Sequence, residues 1–140
     1  MKRDGAKVRD ITYVGANGPV PAYLVVPVGR GPYATILRGH WMMDGSPYMN
    51  RKEFLAEAIL PAKSGVVSLL IDSPMVRPGY KPQDEPLDMR DDVVDLRRGL
   101  DLLSSREDVD RRRIAYVGTA STPRLEPSWR EWIRGPRPLC

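Results

Sequence analysis

The chain is poor in the residues from which metal sites, disulfides and membrane spans are built. It has one cysteine, Cys140, and one histidine, His40, among 140 residues. A single cysteine excludes an internal disulfide, and no Cys/His/Asp arrangement has the spacing of metal ligands. No apolar run approaches the roughly 20 residues that a membrane-spanning helix needs, and the start, MKRDGAKVRD, lacks an apolar signal segment. We therefore expect no metal, no disulfide and no membrane partner, with the cytoplasm as the default location.

The composition is that of one globular domain. Hydrophobic residues make up 41% of the chain and charged residues 29%, which is typical of a folded protein rather than a disordered one. The net charge of +4 is mild, and no basic stripe alternates with aromatic residues, so nucleic acid is not an expected partner. The Gly-x-Gly at Gly29–Gly31 precedes a predicted strand rather than a helix, so it is not a dinucleotide fingerprint, and no cofactor is predicted.

Strand and helix patterns alternate after an opening hairpin. Val8–Val14 alternates apolar and polar residues, and Asn17-Gly18 is turn chemistry that leads into a second strand. The helix at Asn50 starts with a capping-box pattern, and Pro61 is expected to end or kink it. The predicted strands are Val8–Val14, Val20–Pro27, Tyr33–Gly39, Gly65–Asp72 and Ile114–Gly118, and the predicted helices are Asn50–Leu60 and Met89–Ser105.

This order predicts an α/β fold: an N-terminal β-hairpin, then βαβαβ with a mostly parallel sheet covered on both faces. The pattern stops at Gly118. The segment Thr119–Cys140 has no helical or strand period, and prolines such as Pro123 and Pro127 interrupt it. The sequence therefore predicts one domain over residues 8–118 and an irregular tail over residues 119–140.

The segments GVVSLLIDSP and DDVVDLRRGLDLLSSREDVDRRRIAYVG resemble the N-terminal half of α/β-hydrolases of the dienelactone hydrolase and acetyl xylan esterase type. The resemblance runs from about Val8 to Gly118. It implies a partial α/β-hydrolase fold and a parent family that hydrolyses carboxylic esters or lactones with a serine, histidine and acid triad. In that family the last strand leads into Gly-His-Ser-x-Gly, a sharp strand-to-helix turn that exposes the nucleophilic serine.

This chain departs from the family at that turn. Gly118 matches the first glycine, but Thr119 stands where histidine is usual and Ala120 where the nucleophilic serine is required. Alanine has no nucleophilic atom, and the family's triad acid and histidine lie further along than this sequence reaches. We therefore expect a truncated, catalytically inactive fragment. Ser121 lies one place too far for the turn and is expected to be a loop hydroxyl.

One missing nucleotide just after the Gly118 codon is a hypothesis that explains the change of pattern. Restoring a C allows Thr119-Ala120 to be read as His-Ser, and the following codons then permit a run of small and apolar residues of the kind an elbow helix needs. Codon degeneracy makes this test permissive, and the restored frame does not place a glycine two residues after the serine. The tail is then out-of-frame sequence, of natural origin or a sequencing error.

The family resemblance also assigns residues around the site. The loop after the third strand provides an oxyanion N–H in the family, which makes the backbone of His40 the candidate donor, supported by Trp41. The alternative is that His40 is a loop imidazole that caps local backbone. Arg77 and Tyr80 lie in a long Pro-rich loop, where they are candidates for lining a substrate cleft or are simply solvated. Asp72 is expected to cap the following Ser-Pro turn. The acids Asp91, Asp92 and Asp95 are interpreted as a solvated helix face.

Two other classes of function stay open at this point. A half-hydrolase could be a non-enzymatic interaction module that self-associates through an unpaired sheet edge near Val117. A small nucleotide-binding domain is the third reading, but the chain has no Gly-rich phosphate loop between a strand and a helix.

Overall fold

A sheet of six strands with helices on both faces makes up the described part of the chain. The structure is a computed structural model, and it describes residues 2–3, 5–41, 49–81 and 84–118. The irregular tail predicted over residues 119–140 lies outside these residues. The elements are β1 (Lys2–Arg3), β2 (Ala6–Gly15), β3 (Gly18–Pro27), β4 (Tyr33–Arg38), α1 (Leu55–Ala62), β5 (Val66–Ile71), a 3₁₀ turn (Pro74–Val76), α2 (Glu85–Ser104) and β6 (Val109–Val117).

The predicted N-terminal hairpin is present as β2 and β3. The two strands pair antiparallel along their whole length and close at Gly15 opposite Gly18. Gly18 has a φ of +98°, a conformation that residues with a side chain rarely adopt. The turn chemistry of Asn17-Gly18 therefore fixes the register of the hairpin.

The strand order is β1-β2-β3-β5-β4-β6. β4 runs parallel to both β5 and β6, whereas β3 pairs antiparallel with β5. The α/β class and the partial hydrolase fold are confirmed, and the sheet is mixed, with parallel pairing confined to β4, β5 and β6. The tight turn makes β2 and β3 antiparallel, and the helical crossovers through α1 and α2 make β4, β5 and β6 parallel, whereas β3 and β5 are antiparallel neighbours with no direct connection.

The crossover through α1 runs from β4 to β5, and the crossover through α2 runs in the opposite direction, from β5 past β4 to β6, so α1 and α2 cover opposite faces of the sheet. Leu69 and Ile71 of β5 belong to the core that includes Leu96 of α2. Leu70, which points the other way, belongs to the core that includes Ala58 of α1. Such a strand, buried on both faces, is the arrangement that the apolar run of β5, broken only by Ser68, predicts.

Helix α1 begins five residues later than predicted, at Leu55. The predicted capping box is absent because Asn50 Oδ1 accepts from the Lys52 amide instead and the Glu53 carboxylate accepts from the Trp41 amide. Pro61 lies inside the helix, which ends one residue later at Ala62.

Helix α2 and strand β6 each begin earlier in the structure than the sequence predicts. Helix α2 begins at Glu85 rather than Met89, because Asp84 caps it by accepting from the Leu87 amide. Strand β6 begins at Val109, so Arg111–Arg113, predicted as a turn, belong to the strand. These arginines are exposed along a strand whose only partner among the described residues is β4, and charged residues are tolerated at such an edge.

Candidate functional site

The loop after β4 and the segment after β6 leave the sheet side by side. Arg38 is paired with Val117 in the parallel register, and the Gly39 amide donates to the Val117 carbonyl over 2.9 Å. Carboxyl ends of parallel strands meet at one edge of a sheet, which is where open α/β folds bind their ligands. The position that matches the family's nucleophile, Ala120, lies just beyond the described residues, as do Thr119 and Ser121.

His40 is buried at this edge, with 4% of its surface exposed. Its Nδ1 lies 2.8 Å from the Trp41 carbonyl, and its Nε2 accepts from the Ser73 amide over 3.0 Å. The side chain therefore connects the loop after β4 to the loop after β5. The alternative interpretation of the sequence, an imidazole that caps local backbone, agrees with the contact to Trp41, whereas the bond to Ser73, 33 residues away, was not anticipated.

The Trp41 amide donates to Glu53 Oε2 over 2.6 Å, which ties the same loop to the segment before α1. That N–H is engaged within the protein in this arrangement. The oxyanion role of the His40 backbone, with Trp41 as its support, stays a prediction. The structure places both residues on the loop that the resemblance requires, directly beside the end of β6.

The two cleft candidates, Arg77 and Tyr80, line one cleft of about 660 Å³. Its walls are the turn of the β2–β3 hairpin, the Pro-rich loop and the start of α2. They include Asn17, Pro19, Pro21, Pro74, Pro78, Gly79, Lys81 and Asp91. The size is within the range of small-molecule sites. A substrate role for Arg77 and Tyr80 remains a prediction.

The guanidinium of Arg77 is turned into the protein. Its Nε and Nη2 donate to the Asp72 carbonyl over 3.0 and 2.9 Å, and Nη2 also forms an ion pair with Asp95. Only 10% of the Arg77 side chain is exposed. Arg77 therefore stabilises the wall of the cleft, and it presents little of its charge to a ligand.

The interpretation of Asp91, Asp92 and Asp95 as a solvated helix face is wrong, because all three are buried. Asp95 accepts from the Ala16 amide over 2.6 Å in addition to its pair with Arg77. Asp91 accepts from the side chain of Asn17. These carboxylates attach α2 to the hairpin turn and to the Pro-rich loop. The available signal was spacing, since Asp92 lies four residues before the buried Leu96 and so shares its helix face.

Burial raises the pKa of Asp92 to about 6. The neighbouring charge of Asp95 raises this pKa further, whereas the nearby Ser73 hydroxyl and the charge of Arg77 oppose the rise. Asp92 lines a cavity of about 10 Å³, room for about one water molecule. The cavity is also lined by Gly39, His40, Ile71, Ser73, Leu96 and Tyr116.

Asp72 does not cap the Ser-Pro turn as the sequence suggested. Its Oδ1 accepts from the Arg51 amide over 2.7 Å, and its Oδ2 lies 3.7 Å from Arg51 Nε. Arg51 also holds Asp10 through two bonds of 2.9 and 3.1 Å, and its guanidinium lies 4.5 Å from the centre of the Tyr23 ring. Asp72 therefore anchors the segment that precedes α1, and backbone bonds close the Ser-Pro turn.

Over residues 2–3, 5–41, 49–81 and 84–118, no three His, Cys, Asp or Glu side chains are grouped so that they could hold a metal ion. Across the same residues, no helix is both long and apolar enough to span a membrane.

No protein-family model and no curated protein sequence matches the chain. Solved structures do match it. Acetyl xylan esterase from Paenibacillus sp. R4 is 28% identical with a TM-score of 0.56, over 81% of this chain and 41% of that one. Dienelactone hydrolase from Anabaena variabilis is 18% identical with a TM-score of 0.56, over 83% and 53%. A bacterial heroin esterase is 18% identical with a TM-score of 0.60, over 82% and 35%.

These likenesses, together with the strand order and the adjacent loops, define the class of the fold as α/β-hydrolase. Within that class the expected resemblance is confirmed: the chain is similar in structure to hydrolases of the acetyl xylan esterase and dienelactone hydrolase type. The chain spans about half the length, or less, of the structures that it matches.

Proposed function

We propose that this chain provides the oxyanion side of a serine ester-hydrolase scaffold whose parent family acts on small carboxylic esters or lactones. The observation on which this rests is the bond from the Gly39 amide to the Val117 carbonyl, which lies between the loop that carries the candidate oxyanion donor and the end of β6. In a hydrolase of this type, the N–H donors and the nucleophile must face one reacting carbonyl. The names of the matching structures, which include two esterases and a lactone hydrolase, support the same reaction class.

We further propose that this chain does not hydrolyse esters. Ala120 follows two residues after Gly118, at the position where the family has its nucleophilic serine. A methyl group cannot form the acyl intermediate, so one of the two groups that must meet is absent. An intact oxyanion loop alone would give little more than binding of an ester carbonyl.

The test is hydrolysis of p-nitrophenyl acetate by the purified 140-residue chain, with Ser121→Ala as the matched variant. We expect wild type and variant to share the same slow, non-saturating release of nitrophenol. A fluorophosphonate probe followed by mass spectrometry should leave the chain unmodified. Saturable turnover that Ser121→Ala abolishes, or a covalent phosphonate adduct on Ser121, would overturn the inactive assignment.

We also propose that the tail is out of frame, because the family-like pattern ends at one codon boundary, directly after Gly118. The coding DNA across Gly118–Ala120 tests this directly. A restored frame that encodes His-Ser and continues with helix-forming small residues supports the proposal. A frame that closes after a few codons, with no hydrolase-like continuation, refutes it. The cytoplasmic location stays a prediction.

The edge of β6 favours the second candidate function, a module that associates through its sheet. Among the described residues β6 pairs only with β4, and 45% of the Val117 surface is exposed. If the edge is used, sedimentation should show dimers that Val117→Lys dissociates and that Val14→Lys, a change at an exposed position in the hairpin, leaves intact. A monodisperse wild-type monomer would exclude this candidate.

A further inference from the structure

The imidazole of His40 is held between two loops by fixed backbone partners. One partner is the Trp41 carbonyl, 2.8 Å from Nδ1, and the other is the Ser73 amide, 3.0 Å from Nε2. Trp41 lies on the loop after β4, and Ser73 follows the end of β5. The ring is buried, with Ile71, Leu96 and the other cavity residues around it.

These partners define the protonation state of the ring. A carbonyl oxygen can only accept, so Nδ1 must carry the proton. An amide N–H can only donate, so Nε2 must keep its lone pair. Only the neutral Nδ1–H tautomer makes both bonds. In an imidazolium or in the Nε2–H tautomer, the Nε2–H donor would face the Ser73 N–H donor, and neither would have an acceptor.

We propose that the neutral imidazole of His40 is a clasp that positions the candidate oxyanion loop by fastening it to the loop after β5. His40 then has two separate roles. Its backbone N–H is the candidate oxyanion donor, and its side chain fixes the position of that N–H. The second bond from this loop, from the Trp41 amide to Glu53, ties it on the other side to the segment before α1. The importance of the position for catalysis rests on the proposed function, whereas the clasp itself rests on the two measured bonds.

The arrangement satisfies polar groups that would otherwise be costly at this depth. Ser73 is buried, and its amide has a ring nitrogen as its partner rather than a backbone carbonyl of a neighbouring strand. A buried amide that loses its hydrogen-bond acceptor costs free energy, so the native state favours the conformation in which the ring stays bonded to Ser73. The Trp41 carbonyl is held in the same way by Nδ1.

The first test is spectroscopic, and it is unambiguous because His40 is the only histidine in the chain. Two-bond ¹H–¹⁵N correlations of the full 140-residue protein should show one imidazole spin system, with Nδ1 protonated and Nε2 unprotonated at pH 8. An exposed histidine favours the other neutral tautomer or a rapid mixture. A spectrum of the Nε2–H tautomer, or of exchanging forms, would overturn the clasp.

The second test is amide hydrogen exchange in two variants. His40→Ala removes both bonds, and the exchange of the Ser73 amide should accelerate about tenfold relative to that of Leu69 in the neighbouring strand. The Trp41 amide should accelerate with it. His40→Gln provides a carbonyl for Ser73 and an N–H for Trp41, so it should restore most of the protection of the Ser73 amide. Leu60→Ala, a change on the exposed side of α1 that touches neither bond, should leave the ratio of Ser73 to Leu69 exchange unchanged.

Equal protection of Ser73 in wild type and His40→Ala would overturn the proposal, as would a failure of His40→Gln to restore it. If His40→Ala does not fold, the comparison of His40→Gln with wild type and the tautomer spectrum still decide the matter. Neither measurement involves turnover. The clasp can therefore be present while the hydrolase proposal fails, and the reverse result is equally recognisable.

Discussion

Replacement of Asp92 by Asn should stabilise the protein at neutral and alkaline pH. Asp92 is buried on α2, and burial raises its pKa from 3.8 to about 6. The ionised form therefore costs free energy in the native state, and this cost is present at pH 7. Asn has nearly the same shape and keeps a side-chain oxygen that can accept a hydrogen bond, but it cannot ionise.

The size and the sign of the expected change in unfolding free energy follow from the difference between the unfolded and native pKa values of Asp92. Between pH 3.8 and about 6 the native state binds more protons than the unfolded state, so stability falls as the pH rises through this range. Each pH unit is worth 1.36 kcal/mol, so the full loss is about 3 kcal/mol and is complete above pH 7. The advantage of Asp92→Asn over wild type should therefore grow by about 3 kcal/mol between pH 3 and pH 8. The burial of the amide costs the variant something, but that cost is the same at every pH.

The measurement is urea unfolding of both proteins followed by circular dichroism at several pH values. Comparison of the two proteins at each pH cancels the titration of the other carboxylates. Asp101→Asn is the matched control, because Asp101 lies on the same helix and is exposed; its difference from wild type should stay within about 0.5 kcal/mol at every pH. If the advantage of Asp92→Asn is independent of pH, or if it shrinks as the pH rises, the assignment of a buried, destabilised carboxylate is wrong.

Two further changes test the packing around this site by urea unfolding at pH 7. Arg77→Met leaves the fully buried Asp95 without its cation and should cost about 3–5 kcal/mol, whereas Arg112→Met, at a residue whose side chain is 90% exposed, should cost less than about 1 kcal/mol. A small effect of Arg77→Met would mean that Asp95 is solvated. Leu69→Ala, in the core between the sheet and α2, should cost about 2–5 kcal/mol, while Leu60→Ala on the exposed side of α1 should stay within about 0.5 kcal/mol. Equal effects at the two leucines would contradict the assignment of faces.

The sequence was sufficient for the elements that depend on periodicity and turn chemistry. The alternation in β2, the Asn17-Gly18 turn and the apolar run of β5 each predict an element that the structure contains. Boundaries were harder to predict because they depend on partners that are distant in the chain. Glu53, for example, was expected to complete a capping box, but its carboxylate accepts from the Trp41 amide twelve residues earlier.

The same limit applies to the candidate site. The place of His40 and of Gly118 at one edge of the sheet follows from the order of strands, and the family resemblance anticipated it. The burial of Asp95 did not follow, because its partners are an arginine in the Pro-rich loop and an amide in the hairpin turn, 18 and 79 residues away. Spacing to Leu96 indicates that Asp92 shares the buried helix face, but no local pattern identifies the distant partners of Asp95.

Under the proposed function, fold and activity are separable in this chain, and the separation is traced to one position. The strand order places β4 between β5 and β6, so the loops that must cooperate in a hydrolase lie together whatever residue follows Gly118. The burial of His40 and its two backbone bonds belong to that frame. Under the proposed function, whether an ester is cleaved depends instead on the side chain at position 120 and on its triad partners, because a fold supplies the positions of reacting groups but not the groups themselves.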